Sequence, residues 1–533
     1  MVISKDIRQI VGTYDGANLA NILNNIQRIN GFLSHKIVDY ISFELKIPSS
    51  KIYETASFYS FFSFEKKGAH VIRVCDSMTC HMKGSSVLET IKDVTGLGVG
   101  EYNDRFRVEV TSCIGCCDKA PAVLLDDVAY TELDDVKVRK ILECVDTVSA
   151  GAIVGRCDGS LRILKKTRFR ALKKANGMSP CEVIEVVKKS GLLGRGGAGF
   201  PVWMKWDAVN KSAGEGILIC NFDEGEPGTF KDKFILLNNA QTLIEGIAIA
   251  CYAIGCGHAY IYFRREYSYL KELLQSAIDS ALKYVRDLEI EIIEGAGAYI
   301  CGDETCMLNS IEGKAGRPRH KPPFPAQRGL WDKPTAINNV ETLTNAALLF
   351  DDEGWSGEYR LFSVSGDVKN AGVFEEKIGI SFGELIKKAN PIGKVKAIFF
   401  GAAGGCVPYD DERCLDFEDI KKAGAILGSC GIIVVCENRS IVELCRNITR
   451  FFVYENCGKC TPCRDGNYQI LKIFDKIIDG DGAVEDISVL EELCYFVQDS
   501  AFCALGQSSC NHIICSLKYF RDEFDELCKL RAG

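Results

Sequence analysis

The stretch Ser190-Gly191-Leu192-Leu193-Gly194-Arg195-Gly196-Gly197-Ala198-Gly199-Phe200 decides how the middle of the chain is read. Five of these residues are glycine. Glycine at this density lets the backbone take positive φ or come close to a large flat group. Backbone N–H groups in such a loop form a concavity suited to phosphate. Arg195 adds a fixed positive charge. A helix leads into the loop: Ser179 suits an N-cap, Pro180 the first helical position, and Val183, Ile184, Val187 and Leu192 recur at helical spacing. Taken alone the loop also fits an ordinary tight turn, so its surroundings decide.

From 179 to 340, helices and strands alternate. Strands are expected at 216–220, 259–263 and 289–293, with helices at 236–254 and 269–285. This βαβ rhythm predicts a parallel sheet covered on both faces, with ligands at the carboxyl ends of its strands. Three further unusual loops fall there. The first sets Asp223, Glu224 and Glu226 within four residues. Such acids repel phosphate but accept hydrogen bonds from ribose hydroxyls, a carboxamide or a flavin edge. The second runs from Gly295 through Tyr299 and Gly302 to Asp303 and Glu304, again glycine before acid. The third, Arg317-Pro318-Arg319-His320-Lys321-Pro322-Pro323-Phe324, is basic, stiffened by proline and ends in an aromatic.

Upstream, residues 14 to about 65 read as a small helical bundle, with one apolar stripe of Leu19, Ile22, Leu23, Ile26 and Ile29 and another of Ile37, Tyr40, Ile41 and Leu45. A strand at 71–74 then runs into Cys75 and Cys80, and a second at 106–110 into Cys113-Ile114-Gly115-Cys116-Cys117. A third strand, 122–125, and a helix, 136–145, close the unit. C-x4-C followed by C-x3-C supplies the four thiolates of a [2Fe–2S] cluster. Zinc is the alternative, although its usual knuckle spacing differs.

Cys75-x4-Cys80 with Cys113-Ile-Gly-Cys-Cys117-Asp-Lys-Ala-Pro resembles the 24-kDa-type [2Fe–2S] subunit of respiratory complex I, over residues 14 to 148. That resemblance assigns Cys75, Cys80, Cys113 and Cys117 as ligands and leaves Cys116 as an extra thiol. The segments at 194–201, 220–232, 295–305, 316–325 and 333–342 closely resemble the 51-kDa-type NADH-binding flavoprotein subunit, with its homologues in NAD-linked hydrogenases and formate dehydrogenases. The resemblance implies FMN over Gly194, Arg195, Gly196, Gly197, Lys205, Asn221, Asp223 and Glu224. Tyr299, Gly302, Asn338 and Asn339 complete that site. NADH is implied between Phe200 and Phe324, touching Glu226, Asp303, Glu304 and Lys321, with Glu226 and Glu304 the candidate catalytic residues. Two departures stand out: Asp303 replaces the family's Glu, and Asp207-Ala208 stand where an aromatic is common.

Residues 149–178 read as a basic linker and 351–437 as a β-grasp domain, which in the same family is mainly a spacer. The last hundred residues read as helical. They carry Cys457-x2-Cys460-x2-Cys463, with Cys503 forty residues on, a [4Fe–4S] pattern whose ligands coincide with the family's. The fold class expected is therefore multidomain α+β and α/β. A bundle plus thioredoxin-like [2Fe–2S] domain spans 1–148, a Rossmann-like FMN/NADH domain 179–350, and a helical [4Fe–4S] domain 438–533.

The chain has 533 residues, 26 cysteines and a net charge of −8. The charge argues against nucleic acid as a partner. No apolar run long enough for a membrane span or a signal peptide is seen, which with the cysteines suggests a reducing, cytoplasmic setting. The expected function is an NADH:acceptor oxidoreductase (diaphorase) module that passes electrons to a hydrogenase, formate dehydrogenase or electron-bifurcating partner. A complex I input subunit, an NADPH-specific homologue and a scaffold that has lost FMN are the alternatives.

Overall fold

The computed structural model describes residues 3–14, 19–145, 161–212, 214–285, 288–352 and 354–529. The first part of the expected linker, 149–160, lies outside the described residues; from 161 onward its basic side chains face solvent.

Among the described residues thirteen strands form three sheets. In the first, β1 (His70–Cys75) lies parallel to β2 (Phe106–Thr111) and antiparallel to β3 (Ala122–Leu125), with β4 (Val128–Thr131) outside β3. The β1–β2 register sets Cys75 opposite Thr111, so both cysteine-bearing loops leave the same end of the sheet. That placement follows from parallel pairing, which aligns strand ends. The short edge strand β4 was not expected from the sequence.

The second sheet is fully parallel, in the order β7 (Glu289–Glu294), β6 (His258–Phe263), β5 (Ile217–Phe222), β8 (Thr335–Asn339). Its strands alternate between two cores. Leu218 and Cys220 face helices Lys231–Ile254 and Val340–Asp351, while Ile217 and Ile219 face the other way. The second core is completed by Ile22, Leu23, Ile26, Ile37 and Ile41 from helices Leu19–Asn30 and His35–Leu45. The helices pack on one another as the expected bundle, and their apolar stripes also cover one face of the parallel sheet. Ile29, counted in the stripe, is 54% exposed.

The third sheet runs β10 (Gly372–Lys377), β9 (Tyr359–Gly366), β13 (Gly431–Cys436), β11 (Val395–Phe399), β12 (Cys406–Pro408). Only β9 and β13 pair in parallel. Helix Phe382–Ala389 opens with the capping box expected from Ser381 and Glu384. The sheet shares one apolar core with the C-terminal helices, among them Ile441–Glu455 and Asn467–Ile478. One helix among the described residues, Lys231–Ile254, is long and apolar enough to cross a membrane, but 78% of its apolar window is buried in the fold. Asn238, Asn239, Gln241 and Glu245 interrupt its apolar run.

Candidate functional site

The carboxyl ends of β5, β7 and β8 open onto a cavity of about 710 Å³, within the range of a cofactor site. Gly196, Gly197, Asn221, Asp223, Glu224, Glu226, Tyr299, Gly302, Asp303 and Asn339 line it. Three of the four loops named from the sequence thus converge on one space, with Asn339 at the end of β8; the basic loop 317–324 does not line it.

The three acids of the first loop have separate duties. Glu224 accepts from the backbone N–H groups of Asp232 (2.8 Å) and Lys233 (3.1 Å) and from the Tyr267 hydroxyl (3.1 Å). It thereby caps the start of the long helix. Burial, reinforced by Asp232, pushes its carboxyl up to about 8. Glu226 accepts from Ala402 N (2.7 Å) and Ala403 N (2.9 Å), and its other oxygen takes the Tyr299 hydroxyl. Burial raises its pKa above the usual carboxylate range. Asp223 keeps one buried carboxylate oxygen without a partner, and burial drives its pKa well up. It is the member of the set left to meet a ligand.

The remaining predicted residues divide. Asn221 donates to Gly302 O at 3.0 Å and ties two loops together. Asn339 caps helix Val340–Asp351 and donates to Asp232 at 2.5 Å. Asp303 caps helix Glu304–Ile311 by accepting from Thr305 N (2.8 Å) and Cys306 N (3.2 Å), while its second oxygen lies 3.9 Å from Lys321 Nζ. Lys205 pairs with Glu304 and donates to Ile337 O at 3.1 Å. Lys205 and Glu304 both lie outside the cavity lining. The Gly194 N–H is turned to Phe200 O at 2.9 Å, closing the glycine loop rather than facing a ligand. Asn338 is buried and accepts from Trp206 Nε1 at 2.9 Å.

Arg195 was expected to offer its charge to phosphate. Instead it is 3% exposed behind the loop, and its guanidinium donates to Gly357 O at 3.1 Å. Its Nε and Nη1 stay unpartnered. Phe200 and Phe324 are 45% and 54% exposed outside the cavity, and Lys205 Nζ lies 5.9 Å from the centre of the Phe200 ring.

Two thiol quartets flank this cavity. Cys113 and Cys117 sulfurs are 3.3 Å apart, and Cys75 bonds to both Cys113 and Cys80. Hydrogen bonds from Cys117 and Cys75 drive the Cys113 thiol well below the ordinary range, and both donors are driven above it. Cys116 bonds Tyr269 instead, at 4.0 Å. Cys457, Cys460, Cys463 and Cys503 ring a second, smaller cavity, closed by Pro318 and Phe502. Burial pushes the Cys463 thiol up to about 12. Among the described residues no three His, Cys, Asp or Glu side chains converge on one point as ligands of a single ion would. A ring of thiols around a space suits a multi-iron cluster, whose irons spread the ligands apart.

Comparison with known proteins matches these regions one by one. Residues 6–146 match the thioredoxin-like [2Fe–2S] ferredoxin family, 187–347 the Nuo51 FMN-binding domain, and 443–527 the NADH-ubiquinone oxidoreductase-F iron-sulfur binding region. An NADH-quinone oxidoreductase subunit of Rhizobium meliloti is 42% identical over 383 residues, which are 67% of this chain and 91% of that protein. NAD-reducing hydrogenase HoxS subunit alpha of Cupriavidus necator is 34% identical over 95% of this chain and 91% of its own. A crystal structure of an NAD+-reducing [NiFe]-hydrogenase in the H2-reduced state holds a chain that superposes with a TM-score of 0.88 at 31% identity. The match covers 96% of this chain and 93% of that one. The chain belongs to this family of flavin- and iron–sulfur-dependent NADH oxidoreductase subunits.

Its cofactors are therefore FMN, NAD(H), one [2Fe–2S] and one [4Fe–4S] cluster. The residues present fit them. The orphaned Asp223 oxygen, the glycine wall at Gly196 and Gly197, and two thiol quartets are each what such a group requires. Gly225 shows how tight the fit of the walls is: a Cβ there would come within 2.9 Å of the Tyr299 ring.

The expectation of a spacer for residues 351–437 is corrected. Phe400, Ala403, Gly404, Ile426, Gly428 and Ser429 line the cavity, and Glu226 fixes the 402–403 turn there. Gln498, Gln507, Ser508 and Asn511 come from the C-terminal helices. Lys231 was also missed. It is buried between Asp232 (2.9 Å) and Glu341 (2.9 Å) in the cavity wall. Its signal was legible, since a Lys-Asp-Lys run opening an apolar helix is an unusual burden for a core.

Proposed function

We propose that the chain oxidises NADH at the cavity and delivers the electrons singly to a partner subunit; its relatives are named as subunits of an NADH-quinone oxidoreductase and of an NAD-reducing hydrogenase. The observation that carries this reading is the convergence of glycine, acid and asparagine loops on one cavity with a thiol quartet on either side. When bound, FMN accepts the two electrons of a hydride and releases them one at a time, which thiolate-bound clusters alone cannot arrange.

The protein supplies position and electrostatics. Gly196 and Gly197 leave room for a flat ring and its phosphate. Asp223 offers a hydrogen-bonding edge in a buried setting. Glu226, held by Ala402, Ala403 and Tyr299, keeps the 400–429 segment closed over the site and excludes water. Asp303, Glu304, Lys321, Phe200 and Phe324 form the outer part, where the nucleotide is bound. Carboxylates there favour NADH, because a 2′-phosphate would meet like charge.

We assign Cys75, Cys80, Cys113 and Cys117 to the [2Fe–2S] cluster and Cys457, Cys460, Cys463 and Cys503 to the [4Fe–4S] cluster. We divide the chain at 148, 178, 350 and 437. A reducing compartment, the cytoplasm, suits so many cluster-bound thiolates. The partner is a redox subunit such as a hydrogenase, formate dehydrogenase or electron-bifurcating enzyme. Anaerobic addition of NADH to the purified native complex tests the reading. The flavin absorbance bleaches and both cluster signals appear; a protein without flavin absorbance contradicts it.

A further inference from the structure

The loop that lines the cavity continues into the seat of the buried thiol quartet. Gly228 donates its N–H to Cys117 Sγ at 3.4 Å. It sits at φ +84°, and a Cβ there would come within 2.8 Å of Ile433, so both backbone and space demand glycine. Five residues on, the Lys233 side chain is 4% exposed. Its Nζ donates to Gly115 O at 2.5 Å and lies 3.6 Å from Cys116 Sγ and 3.5 Å from Asp118 Oδ1. Glu224 holds the Lys233 backbone N–H, which fixes where the side chain starts. Arg264, at the end of β6, donates to Cys113 O and to Glu224 O at 2.8 Å, and pairs with Glu266 at 3.0 Å. Burial opposes the Lys233 charge, but Asp118 and Cys116 keep it above the ordinary lysine range. A charge buried this deeply costs stability unless something pays it back in function or pairing, and Asp118 alone, half-faced at 3.5 Å, pairs it only partly.

We propose that Lys233 sets the reduction potential of the cluster held by Cys75, Cys80, Cys113 and Cys117, so that this potential belongs to the flavin domain as much as to the cysteine loops. The proposal rests on the ligand set assigned above. Reduction adds one electron, drawn from the flavin, to a group already made negative by its thiolates; no bond forms or breaks. A fixed ammonium in a low-dielectric seat favours the more negative, reduced form. The Gly228 N–H on a ligand sulfur acts in the same direction. Lys233 touches no reacting atom and is a positioning residue.

The test is a redox titration of the intact chain, followed by EPR, on Lys233→Met, Lys233→Gln and Lys233→Arg. The two neutral variants should each lower the equilibrium constant for [2Fe–2S] reduction tenfold or more, which is about 59 mV for a one-electron couple. Lys233→Arg should stay near wild type, and the [4Fe–4S] signal should not move in any of them. Asp118→Asn, which removes the opposing charge, should shift the [2Fe–2S] potential upward and keeps the proposal testable if the neutral variants fail to fold. Equal shifts for Met, Gln and Arg, no shift in the neutral variants, or no upward shift in Asp118→Asn overturns it. Cys117→Ser run alongside separates the two claims, since retention of its [2Fe–2S] signal would mean that the ligand set, rather than the Lys233 effect, is wrong.

Discussion

Cys75, Cys80, Cys113 and Cys117 are at most 6% exposed, enclosed by the first sheet, the acidic loop and β9. Cys457, Cys460 and Cys503 are only half-buried, and near them Tyr454 and Tyr468 are 72% and 48% exposed. The two quartets are similar in chemistry and opposite in setting. One receives hydrogen bonds and charge from a neighbouring domain and has no face toward solvent. The other opens toward a surface with exposed aromatics. On the ligand sets proposed above, this contrast in position suits the first cluster to exchange within the chain and the second to exit to a partner.

The largest expected effect sharpens the inner site. Cys117→Ser abolishes the [2Fe–2S] EPR signal, and Cys116→Ser preserves it, because Cys116 turns to Tyr269 while Cys117 meets Cys113. The reverse pattern would move the assignment by one residue.

Much of this was legible in the sequence. The cysteine spacings, the glycine loop, the N-cap at Ser179 and the capping box at Ser381 act locally, and the structure shows both caps formed. What escaped was set at long range. β13, wholly buried, reads as an apolar run without alternation. β8 hides between Pro334 and its own terminal N-cap, Asn339. The lid residues Ala403, Gly404, Gly428 and Ser429 are small and carry no motif; only tertiary packing brings them to the cavity. Glu226 looked like a free ligand-binding acid, and its two backbone donors lie 176 and 177 residues away.

A second prediction concerns how the inner site is held. Glu294, with its side chain 1% exposed, meets Arg265 (3.0 Å), Lys271 (3.2 Å) and Arg28, which also reaches Asp127 (3.2 Å). This cluster ties the N-terminal helices and first sheet to the flavin domain. Burial would raise the Glu294 pKa, but Arg265 and Arg28 outweigh it and hold it at about 2. A folded pKa below the ordinary 4.5 contributes stability that is complete above that value and lost as pH falls toward 2. The shift corresponds to about 3 kcal/mol. Glu294→Gln should lower the unfolding free energy by that order at pH 7, seen as a lower denaturant midpoint for loss of the [2Fe–2S] signal, and should flatten the fall of that midpoint below pH 4.5. The [4Fe–4S] signal should be less affected. An unchanged midpoint would show that this charge cluster does not hold the two domains together.

The smallest effect concerns the cavity between the two quartets. Glu226→Gln keeps an oxygen for Ala402 and Ala403 but loses the charge. NADH binding should weaken by about 1–2 kcal/mol, and use of NADPH relative to NADH should rise. Steady-state kinetics with an artificial dye check this, since the dye bypasses the partner. An unchanged NADPH/NADH ratio in kcat/KM would leave Glu226 only its part in holding the lid.

The contrast between an inner and an exit cluster is tested most directly by Cys463→Ser in the native complex. Partner-linked turnover is measured beside NADH-driven flavin bleaching in the same preparation. The account predicts loss of the [4Fe–4S] signal and of partner-linked turnover, with the flavin still bleached by NADH. Partner-linked turnover at the wild-type level would contradict it and place the exit elsewhere.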